Sequence, residues 1–401
     1  MQASKGIFIA GAKRTPFGSF GGSLKAFTGT DLATLSSVGA MKQAKVDPSA
    51  VDAVFVGNVI QSSPDAAYMA RHVGLRAEVP QGKPAITVNR LCGSGFETVC
   101  MGAEAIMLGQ AEVTLCGGSE NMSAAPFTMD GNAARWGVPL GKPPQLQDSL
   151  WSGLTDSLAG TPMGVTAENL AEKYGITRSE CDEYAVRSQH AYAAAAEAGV
   201  FAAEIEPVEV KVKRNLVMMD ADEYPRGLKA KLEDMAKLPT VFKKDGTVTP
   251  ASASGICDGA ASLVVASEEA CGSQGLAPLA RVVAWNRVGC DPSIMGIGPV
   301  EAIRGILAKT GLTLGDVGIV EVNEAFAAQY LACEKELGLD REITNANGGA
   351  IALGHPLGAS GARILAHLTH ELIRQKKRYA IGSACIGGGQ GIAVLLENAQ
   401  L

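Results

Sequence analysis

The sequence contains an internal repeat, and this repeat restricts the possible folds more than any other feature of the chain. Segments of the first third recur in the last third at a constant offset of 266 residues, with no gap between them. An offset that stays constant from residue 53 to residue 116 is hard to obtain by chance, even at low identity. The matched pairs are Ala53–Val56 with Ile319–Val322, Cys92–Gly95 with Gly358–Gly361, and Val113–Cys116 with Tyr379–Gly382.

Each copy predicts a helix, a strand, a short strand, a glycine turn, a helix and a strand. Helices that alternate with apolar strands favour mostly parallel sheets covered on both faces. We therefore expect two similar halves that pack as a pseudo-dimer with five layers, α/β/α/β/α. General similarity between α/β segments is the alternative explanation of the repeat. In the first copy the predicted elements are a helix at 31–45, strands at 51–59 and 85–88, a helix at 95–108 and a buried strand at 113–116.

Residues 120–250 interrupt this pattern. They contain a Pro/Gly-rich stretch at Gly137–Pro144, a helical stretch at Ser179–Ala198, and nine Lys and Arg residues within 211–244. On an acidic protein, this local basic density predicts an anion-binding flap over an active site, and a solvated surface is the alternative. The predicted division is an N-terminal half at 1–120 plus about 250–275, an inserted loop domain at 121–249, and a C-terminal half at 276–401.

Composition excludes several classes of protein. The 401 residues are 47% hydrophobic and 19% charged, as in an ordinary globular protein, and the net charge of −6 argues against nucleic acid as a partner. No apolar run approaches the ~18–20 residues of a membrane span. The nine cysteines are scattered and contain no CxxC pair, so we expect neither a disulfide framework nor a zinc site. Neither terminus resembles a targeting signal, which leaves the cytosol or an organelle matrix.

Cys92 is the first candidate for chemistry. It lies among glycines at a predicted strand-to-helix turn, where the unpaired N–H groups of the helix N-terminus favour a thiolate over a thiol. Neighbouring backbone N–H groups could also bind a carbonyl oxygen beside the sulfur. A buried, inert cysteine is the alternative, and we assign it to the seven cysteines outside glycine-rich turns, which are Cys100, Cys116, Cys181, Cys257, Cys271, Cys290 and Cys333.

Three further residues complete the candidate site. His355 is displayed on a glycine-rich turn before Pro356, whereas the other four histidines are expected to be structural, packing or surface residues. Cys385 ends a predicted strand and opens a glycine loop. Asn323 follows the strand Ile319–Val322, where it could position a water or a carbonyl, or simply cap the strand end. Two thiols and an imidazole predict acyl transfer on a thioester, with one thiol as nucleophile and the other as acid/base.

At this point the chain resembles the thiolase family along essentially its whole length, and within it the 3-ketoacyl-CoA type. Three catalytic motifs in the correct order make this resemblance specific. The segments that carry it are Ala12–Phe17, Asn89–Gly95, Gly117–Met122, Met163–Asn169, Lys243–Thr249, Asp291–Pro299, Asn323–Ala327, Asn347–Gly358 and Gly382–Gly391.

The resemblance implies a ping-pong thiolytic cleavage of 3-oxoacyl-CoA, reversible as a Claisen condensation. Cys92 would be the acylated nucleophile and Cys385 the acid/base. His355 would lower the Cys92 pKa and help hold the thioester oxygen, while Asn323 would fix a water at the same oxyanion site. The N–H groups of Cys92 and Gly387 would form a second oxyanion site. Coenzyme A is a substrate in this scheme, and neither a metal nor a permanently bound cofactor is implied.

The resemblance also implies the substrate contacts. Arg226 would lie near the adenine and 3′-phosphate of CoA, and Ser254 near the pantetheine. Met163 and Met295 would line the acyl and pantetheine pocket. The family usually has a Thr or Ser pair shortly after the Arg, which this chain lacks, and Lys229 could replace that contact through its charge.

Three alternative functions differ in their sequence requirements. A decarboxylating condensing enzyme would have a second His, or a His and an Asn, and Cys385 argues against it. A catalytically silent, lipid-binding relative should have lost one of Cys92, His355 and Cys385. An acetoacetyl-CoA thiolase is the closest competitor, although Asp291–Pro299 favours the 3-ketoacyl-CoA type. The family further implies a homo-oligomer, either a dimer or a dimer of dimers, in the mitochondrial matrix, with the cytosol as the alternative.

Overall fold

Thirteen helices and sixteen strands make up the protein, and the computed structural model describes all 401 residues. The helices are α1 Gly29–Ala44, α2 Met69–Arg76, α3 Ser94–Met107, α4 Gly131–Arg135, α5 Ser149–Gly153, α6 Met163–Tyr174, α7 Arg178–Glu197, α8 Leu232–Met235, α9 Glu268–Gln274, α10 Gly298–Thr310, α11 Ala327–Leu337, α12 Ala350–Leu353 and α13 Leu357–Gln375. The strands are β1 Ile7–Arg14, β2 Gly18–Ser19, β3 Ala53–Gly57, β4 Ala85–Val88, β5 Val113–Asn121, β6 Phe127–Met129, β7 Leu146–Asp148, β8 Thr155–Asp156, β9 Thr161–Pro162, β10 Val208–Val212, β11 Asn215–Met219, β12 Cys257–Ser267, β13 Ala280–Gly289, β14 Ile319–Val322, β15 Tyr379–Ile386 and β16 Gln390–Asn398.

Local chemistry explains the element boundaries. The helix predicted from residue 31 begins at Gly29, because Thr28 is its N-cap and Asp31 closes a capping box with it. The insert helix, predicted at 179–198, is α7. It begins after the N-cap Thr177, and Glu180 closes the capping box. The strand predicted at 113–116 continues to Asn121, so that its carboxyl end reaches the middle of the molecule.

The main sheet is mixed, so the expectation of mostly parallel sheets is wrong. Its order is β14-β15-β16-β13-β1-β12-β5-β3-β4, with β2 beside β12. Parallel pairing is confined to β14 with β15 and to β3 with β4 and β5, and the other pairs are antiparallel. The glycine run after β15 makes a hairpin into β16, with positive φ at Gly388 and Gly389, where a parallel neighbour would have needed a long crossover.

The five-layer arrangement is confirmed. Helices α3 and α13 lie between the two halves of the sheet, α1 covers the outer face of the N-terminal half and α10 that of the C-terminal half. The halves of the sheet join through β1 and β13, which pair at only two positions. Strand residues alternate between layers: Leu263 and Val265 face the central helices, whereas Val264 and Ala266 face α1.

The repeat corresponds to matched elements in space. The helix α3 matches α13, β3 matches β14, and β5 matches β15. Gly95 and Gly361, which the offset of 266 pairs, touch where α3 and α13 cross. A Cβ on Gly95 would lie 2.3 Å from the amide nitrogen of Ala362, and one on Gly361 2.3 Å from that of Phe96. The two halves therefore meet through backbone contacts that only glycine permits.

One element of the predicted repeat is wrong in the second copy. The positions that match the short strand Ala85–Val88 form the helical turn α12 instead. In this turn the buried carboxylate of Glu324 accepts the N–H of Ile351 at 3.1 Å, so this N–H bonds to a side chain rather than to a neighbouring strand.

The insert is divided between the two halves. Its helices α6 and α7 pack with α10 and α11 on the C-terminal half, through Leu170 and Tyr184 among others. The hairpin β10–β11 packs on the N-terminal half through Val208 and Val210. None of the helices combines the length and the apolar character needed to cross a membrane.

Candidate active site

Cys92 lies in a short 3-10 turn, Leu91–Gly93, directly before α3. Its sulfur is within hydrogen-bonding reach of its own N–H and of the N–H of Gly387, which belongs to the loop after β15. A cavity of about 320 Å³ opens at this thiol. A Cβ at Gly387 would lie 3.0 Å from Leu91 Cδ1 and 3.3 Å from the sulfur of Met163, so glycine keeps this part of the cavity open.

The Cys92 thiol is protonated in the free protein. Burial raises its pKa to about 11; the two N–H groups at the sulfur lower it, and the negative charge of Glu120 raises it further. The expected lowering of the pKa by the helix N-terminus is therefore outweighed by desolvation, which favours the neutral thiol.

Cys385 is fully buried at the end of β15 and packs with Met295 and Ala325. Burial raises its pKa well above the ordinary value, and the nearby Cys92 sulfur raises it further. The two cysteines, 293 residues apart in the sequence (385 minus 92), are thus close neighbours as two neutral thiols. Met163, which lines the Cys92 cavity, packs against the same group.

His355 is a neutral imidazole whose hydrogen bonds define its tautomer. Ser360 Oγ donates to the carbonyl of Pro356 at 3.0 Å, so it accepts from Nδ1–H of His355 at 2.6 Å. The unprotonated Nε2 then faces Asn323 Nδ2 at 3.3 Å. Burial, and next the charge of Arg363, lower the pKa of His355 to about 3. The ring therefore carries an unprotonated Nε2 at neutral pH.

Asn323 has one unused hydrogen-bonding atom. Its side chain is 1% exposed, and Nδ2 donates to His355, yet Oδ1 has no partner although it is buried. Its backbone N–H is tied to Ser383 O at 2.9 Å, two residues before Cys385. A buried acceptor of this kind normally bonds to a water or a ligand.

A second cavity, of about 370 Å³, adjoins the first and shares Leu154 and Leu357 with it. His355 and Ser254 line it, and its apolar wall is aromatic. Trp151 and Phe242 stack with ring centroids 6.4 Å apart, and Phe242 meets Phe326 edge to face at 6.5 Å. This cavity is a narrow apolar channel with few polar groups, which suits a flexible, mostly apolar chain.

The predicted basic flap is not a single structure. Lys211, Lys213 and Arg214 lie on the exposed hairpin β10–β11, and Lys237 and Lys243 pair with Asp234 and Glu172. None of the nine basic residues lines either cavity. Arg226 and Lys229 are exposed, outside both. The segment of Arg226 nevertheless reaches the rim of the second cavity, because the ring of Tyr224 lies against the backbone of Gly255.

Several residues at the site were not predicted. The aromatic wall and Ser360 carry no sequence signal of their own, although Phe326 and Ser360 lie in or next to motifs that had been singled out. Of the two interpretations of His367 and His370, surface or packing, the structure favours packing. His367 is buried with Nδ1 2.7 Å from Glu204 Oε2, and His370 is half-buried with Nε2 2.9 Å from Ala12 O. No cluster of three or more His, Cys, Asp and Glu side chains is arranged to hold a metal ion.

Comparison with family models matches nearly the whole chain. Residues 7–269 match the thiolase N-terminal domain, and residues 276–398 match the thiolase C-terminal domain. The mitochondrial 3-ketoacyl-CoA thiolase of Homo sapiens is 55% identical over 398 residues, which is 99% of this chain and 100% of that protein. The acetyl-CoA acetyltransferase of Escherichia coli K12 is 45% identical over 394 residues, 98% of this chain and 99% of that protein.

Solved structures are equally similar. The human mitochondrial 3-ketoacyl-CoA thiolase in complex with CoA superposes with a TM-score of 0.97 at 55% identity, and the match covers 100% of this chain and 99% of that one. The Bacillus anthracis acetyl-CoA acetyltransferase superposes with a TM-score of 0.95 at 44% identity, covering 99% of this chain and 100% of that one.

Proposed function

Because this chain belongs to the thiolase family, we propose that it cleaves 3-oxoacyl-CoA with coenzyme A to acetyl-CoA and a shortened acyl-CoA, the last step of a fatty-acid β-oxidation cycle, and that it can run in reverse as a Claisen condensation. One observation carries the proposal. The Cys92 thiol opens to one cavity, the neutral imidazole of His355 lines the adjoining cavity, and the Cys385 thiol is buried next to Cys92. These groups suffice for nucleophilic attack and two proton transfers.

The first half-reaction acylates Cys92. The sulfur attacks the 3-keto carbon while its proton passes to Nε2 of His355, and the resulting alkoxide collapses with cleavage of the C2–C3 bond. The leaving group is the enolate of acetyl-CoA, which takes its proton from the Cys385 thiol. The site then holds an acyl thioester on Cys92, a Cys385 thiolate and a protonated His355.

The second half-reaction returns every group to its starting state. The Cys385 thiolate removes the proton of the incoming CoA thiol, and the CoA thiolate attacks the acyl thioester. The Cys92 sulfur leaves and recovers its proton from His355. Atoms and charges balance without a metal or an electron carrier, so coenzyme A serves only as a substrate.

Oxyanion stabilisation falls to groups already arranged around the thiols. The N–H groups of Cys92 and Gly387, which lie at the Cys92 sulfur in the free protein, would serve one oxygen. Asn323 would hold a water beside His355, since its Oδ1 is a buried acceptor with no partner. Removing one donor from such a site typically reduces turnover by about 100- to 1,000-fold.

For the substrate we propose two routes that meet at Cys92. The aromatic cavity with Ser254 would take the pantetheine arm, and the cavity with Met163 would take the acyl chain, with Met295 behind the thiols. Arg226 would meet the phosphate end of CoA outside the cavity, beside the Tyr224–Gly255 contact, and Lys229 would add charge there. The human relative was solved in complex with CoA, which supports CoA binding by this chain.

By the same resemblance, the compartment is the mitochondrial matrix. We further propose that the protein is a homo-oligomer, either a dimer or a dimer of dimers. The insert would contribute to the larger assembly, because the segment around Trp136 and Leu140 exposes large apolar side chains.

A second candidate function is acetyl-CoA acetyltransferase activity, since relatives of that name are 43–45% identical over nearly the whole chain. One experiment separates the candidates: CoA-dependent thiolysis of 3-oxoacyl-CoA substrates with acyl chains from four to sixteen carbons. The proposed function requires kcat/KM to be maintained or to rise beyond the four-carbon substrate. Activity confined to acetoacetyl-CoA would assign the acetyltransferase, and a complete lack of thiolysis would leave the silent lipid-binding alternative.

A further inference from the structure

Glu120 lies at the carboxyl end of β5, next to the site and in no role in the reaction described above. Its side chain is fully buried and accepts four hydrogen bonds. Oε1 accepts from Asn58 Nδ2 at 3.0 Å and from the N–H of Ile60 at 2.9 Å. Oε2 accepts from the N–H of Val59 at 3.1 Å and from the N–H of Gly358 at 2.9 Å.

These four donors belong to two segments from opposite halves of the molecule. Asn58, Val59 and Ile60 form the loop after β3, whereas Gly358 lies in the first turn of α13, three residues after His355. Each segment also supplies an apolar neighbour of the nucleophile, because Ile60 and Leu357 pack in the same cluster as Cys92. A single carboxylate thus joins both walls of the Cys92 pocket and fixes the start of the helix that follows His355.

Gly358 is in close backbone contact with the ends of β5 and β3. A Cβ on Gly358 would lie 2.6 Å from the carbonyl oxygen of Ser119 and 2.8 Å from that of Gly57. The end of β5, the end of β3 and the first turn of α13 therefore touch through their backbones. If loss of the bond between Glu120 and the Gly358 N–H displaces α13, the helix can move only away from these strands.

We propose that Glu120 is a positioning residue for thiolysis, whose carboxylate ties the loop after β3 to the first turn of α13 and so sets His355 in place relative to Cys92. This inference rests on the proposed function, because the placement matters for a proton transfer from Cys92 to His355. A shift of about 1 Å between reacting groups reduces turnover by about 100-fold.

The ionised form of Glu120 is the one that fits. All four neighbours are donors, and a protonated carboxyl would direct its own O–H at one of them. Burial raises the pKa of Glu120 to about 7, although its three backbone N–H donors lower it, and the charge of Asp258 on the adjacent strand raises it further. Experiments are therefore best made at pH 8, where the carboxylate predominates.

The test is Glu120→Gln, which keeps the shape but places an NH₂ group against two N–H donors. At pH 8 we expect kcat to fall by about 100-fold, with little change in KM for CoA. Alkylation of Cys92 by iodoacetamide should be no slower, because the substitution removes a negative charge that raises the Cys92 pKa. This split between turnover and thiol reactivity distinguishes misplacement of His355 from general damage to the site.

Asp52→Asn is the matched control. Asp52 lies at the opposite ends of the same strands, where it accepts the N–H groups of Glu112 at 2.8 Å and Val113 at 3.2 Å and pairs with Lys83. The Asp52→Asn variant loses the same charge and comparable bonds to backbone N–H groups, but residue 52 touches no part of the site. We expect it to lower thermal stability and to keep the wild-type kcat.

Amide hydrogen exchange makes the result decisive. In Glu120→Gln, exchange at Ile60 and Gly358 should accelerate, and in Asp52→Asn it should not. Wild-type kcat in Glu120→Gln, equal losses of turnover and alkylation, or unchanged exchange would each overturn the proposal. Should Glu120→Gln fail to fold, Glu120→Asp, which keeps the charge but cannot reach all four donors, must show the same split. A wild-type protein without thiolysis would refute the proposed function. The exchange data would still test whether Glu120 holds the loop after β3 and the first turn of α13.

Discussion

At the scale of single residues, the site of the free protein contains neutral groups, whereas the sequence had predicted a thiolate at Cys92. Burial keeps Cys92 and Cys385 as thiols and His355 as a neutral imidazole. A neutral site in an apolar pocket avoids the large desolvation cost of buried charges. In the mechanism that we propose, the nucleophile forms only as the thiol proton moves to His355, in the presence of the substrate.

The reactivity of Cys92 follows from this state. With a pKa near 11 rather than 9, its thiolate fraction at neutral pH is about 100-fold lower than that of an ordinary cysteine. We expect iodoacetamide to alkylate Cys92 slowly at pH 7, at a rate that still rises above pH 9, and 3-oxoacyl-CoA to protect it. Mass spectrometry of the labelled peptide measures this rate. A rate that levels off below pH 8 would contradict a buried neutral thiol.

Cys385→Ser tests the second thiol. A serine hydroxyl is too weak an acid to protonate the enolate, so turnover should fall by about 100- to 10,000-fold, as when a general acid is removed. Cys92 should still become acylated, and intact-protein mass spectrometry should detect the trapped acyl group. Wild-type thiolysis in this variant would refute the assigned role.

His355 gives the stability a defined pH dependence. Its pKa is about 3 in the folded protein, against an ordinary value of 6.5. As the pH falls below 6.5, the unfolded chain takes up a proton that the folded protein refuses, so the contribution of this group to stability is full above pH 6.5 and declines toward pH 3. His355→Gln should flatten the stability curve between pH 6.5 and pH 5 by up to about 1.4 kcal/mol per pH unit. Urea titrations of both proteins at these pH values test this, and parallel curves would argue against a buried neutral imidazole.

At the scale of elements, the crossing of α3 and α13 positions the chemistry. The helix α3 begins two residues after Cys92, and α13 begins two residues after His355. Their closest approach, at Gly95 and Gly361, is a backbone contact. The glycine pair therefore limits how closely the two helices approach, and this crossing lies next to Cys92 and His355.

Gly361→Ala should disturb both stability and activity. Its new methyl group would lie 2.3 Å from the Phe96 amide nitrogen, which cannot move aside without moving α3. Overpacking of this kind costs about 1–3 kcal/mol, and the displaced helices should lower kcat as well. Gly272→Ala in α9 is the control: it has open space around it and should be neutral or stabilising. Thermal unfolding and steady-state kinetics compare the two variants. If Gly361→Ala changed stability and kcat as little as Gly272→Ala, then α3 and α13 could move apart without loss of stability or activity.

At the scale of the whole molecule, a buried charged network joins three parts of the chain. Arg14 of β1 is fully buried and bonds Glu204 at 2.6 Å and Asp222 at 2.6 Å, both in the insert. Glu204 also bonds His367 of α13 at 2.7 Å. Burial alone would neutralise such groups, but the mutual attraction holds the pKa of Glu204 well below its ordinary range and raises that of His367.

Removing one member of this network should be more damaging than removing its charges together. Arg14→Met leaves the buried Asp222 without an ion-pair partner and Glu204 with His367 alone, and we expect a loss of about 3–5 kcal/mol. The triple variant Arg14→Met, Glu204→Gln, Asp222→Asn should recover much of that loss. Denaturant unfolding of both variants measures the difference. Additive effects of the three substitutions would show that the groups act independently.

Some features of this protein could be predicted from the repeat, some from short motifs, and some not from the sequence at all. The offset that pairs Gly95 with Gly361 predicted two halves and five layers, because each repeat must bury its apolar faces against the other. Glycine-rich turns singled out Cys92, His355 and Cys385 as candidates, because the need for glycine at a tight turn is visible in the neighbouring residues of the sequence. The direction of the strands was not visible in this way, since it depends on how the chain returns to the sheet after Gly387.

The sequence by itself determined which side chains carry the proposed chemistry, the repeat that brings the two halves together, and membership of a family through motifs along the whole chain. Only the tertiary structure decided the protonation states of Cys92 and His355, the separation of Arg226 from the cavities, and the anchoring position of Glu120. The physical reason is that burial and hydrogen bonding between distant segments set pKa values and positions. These depend on which groups surround a residue in space, and neighbouring letters do not record that.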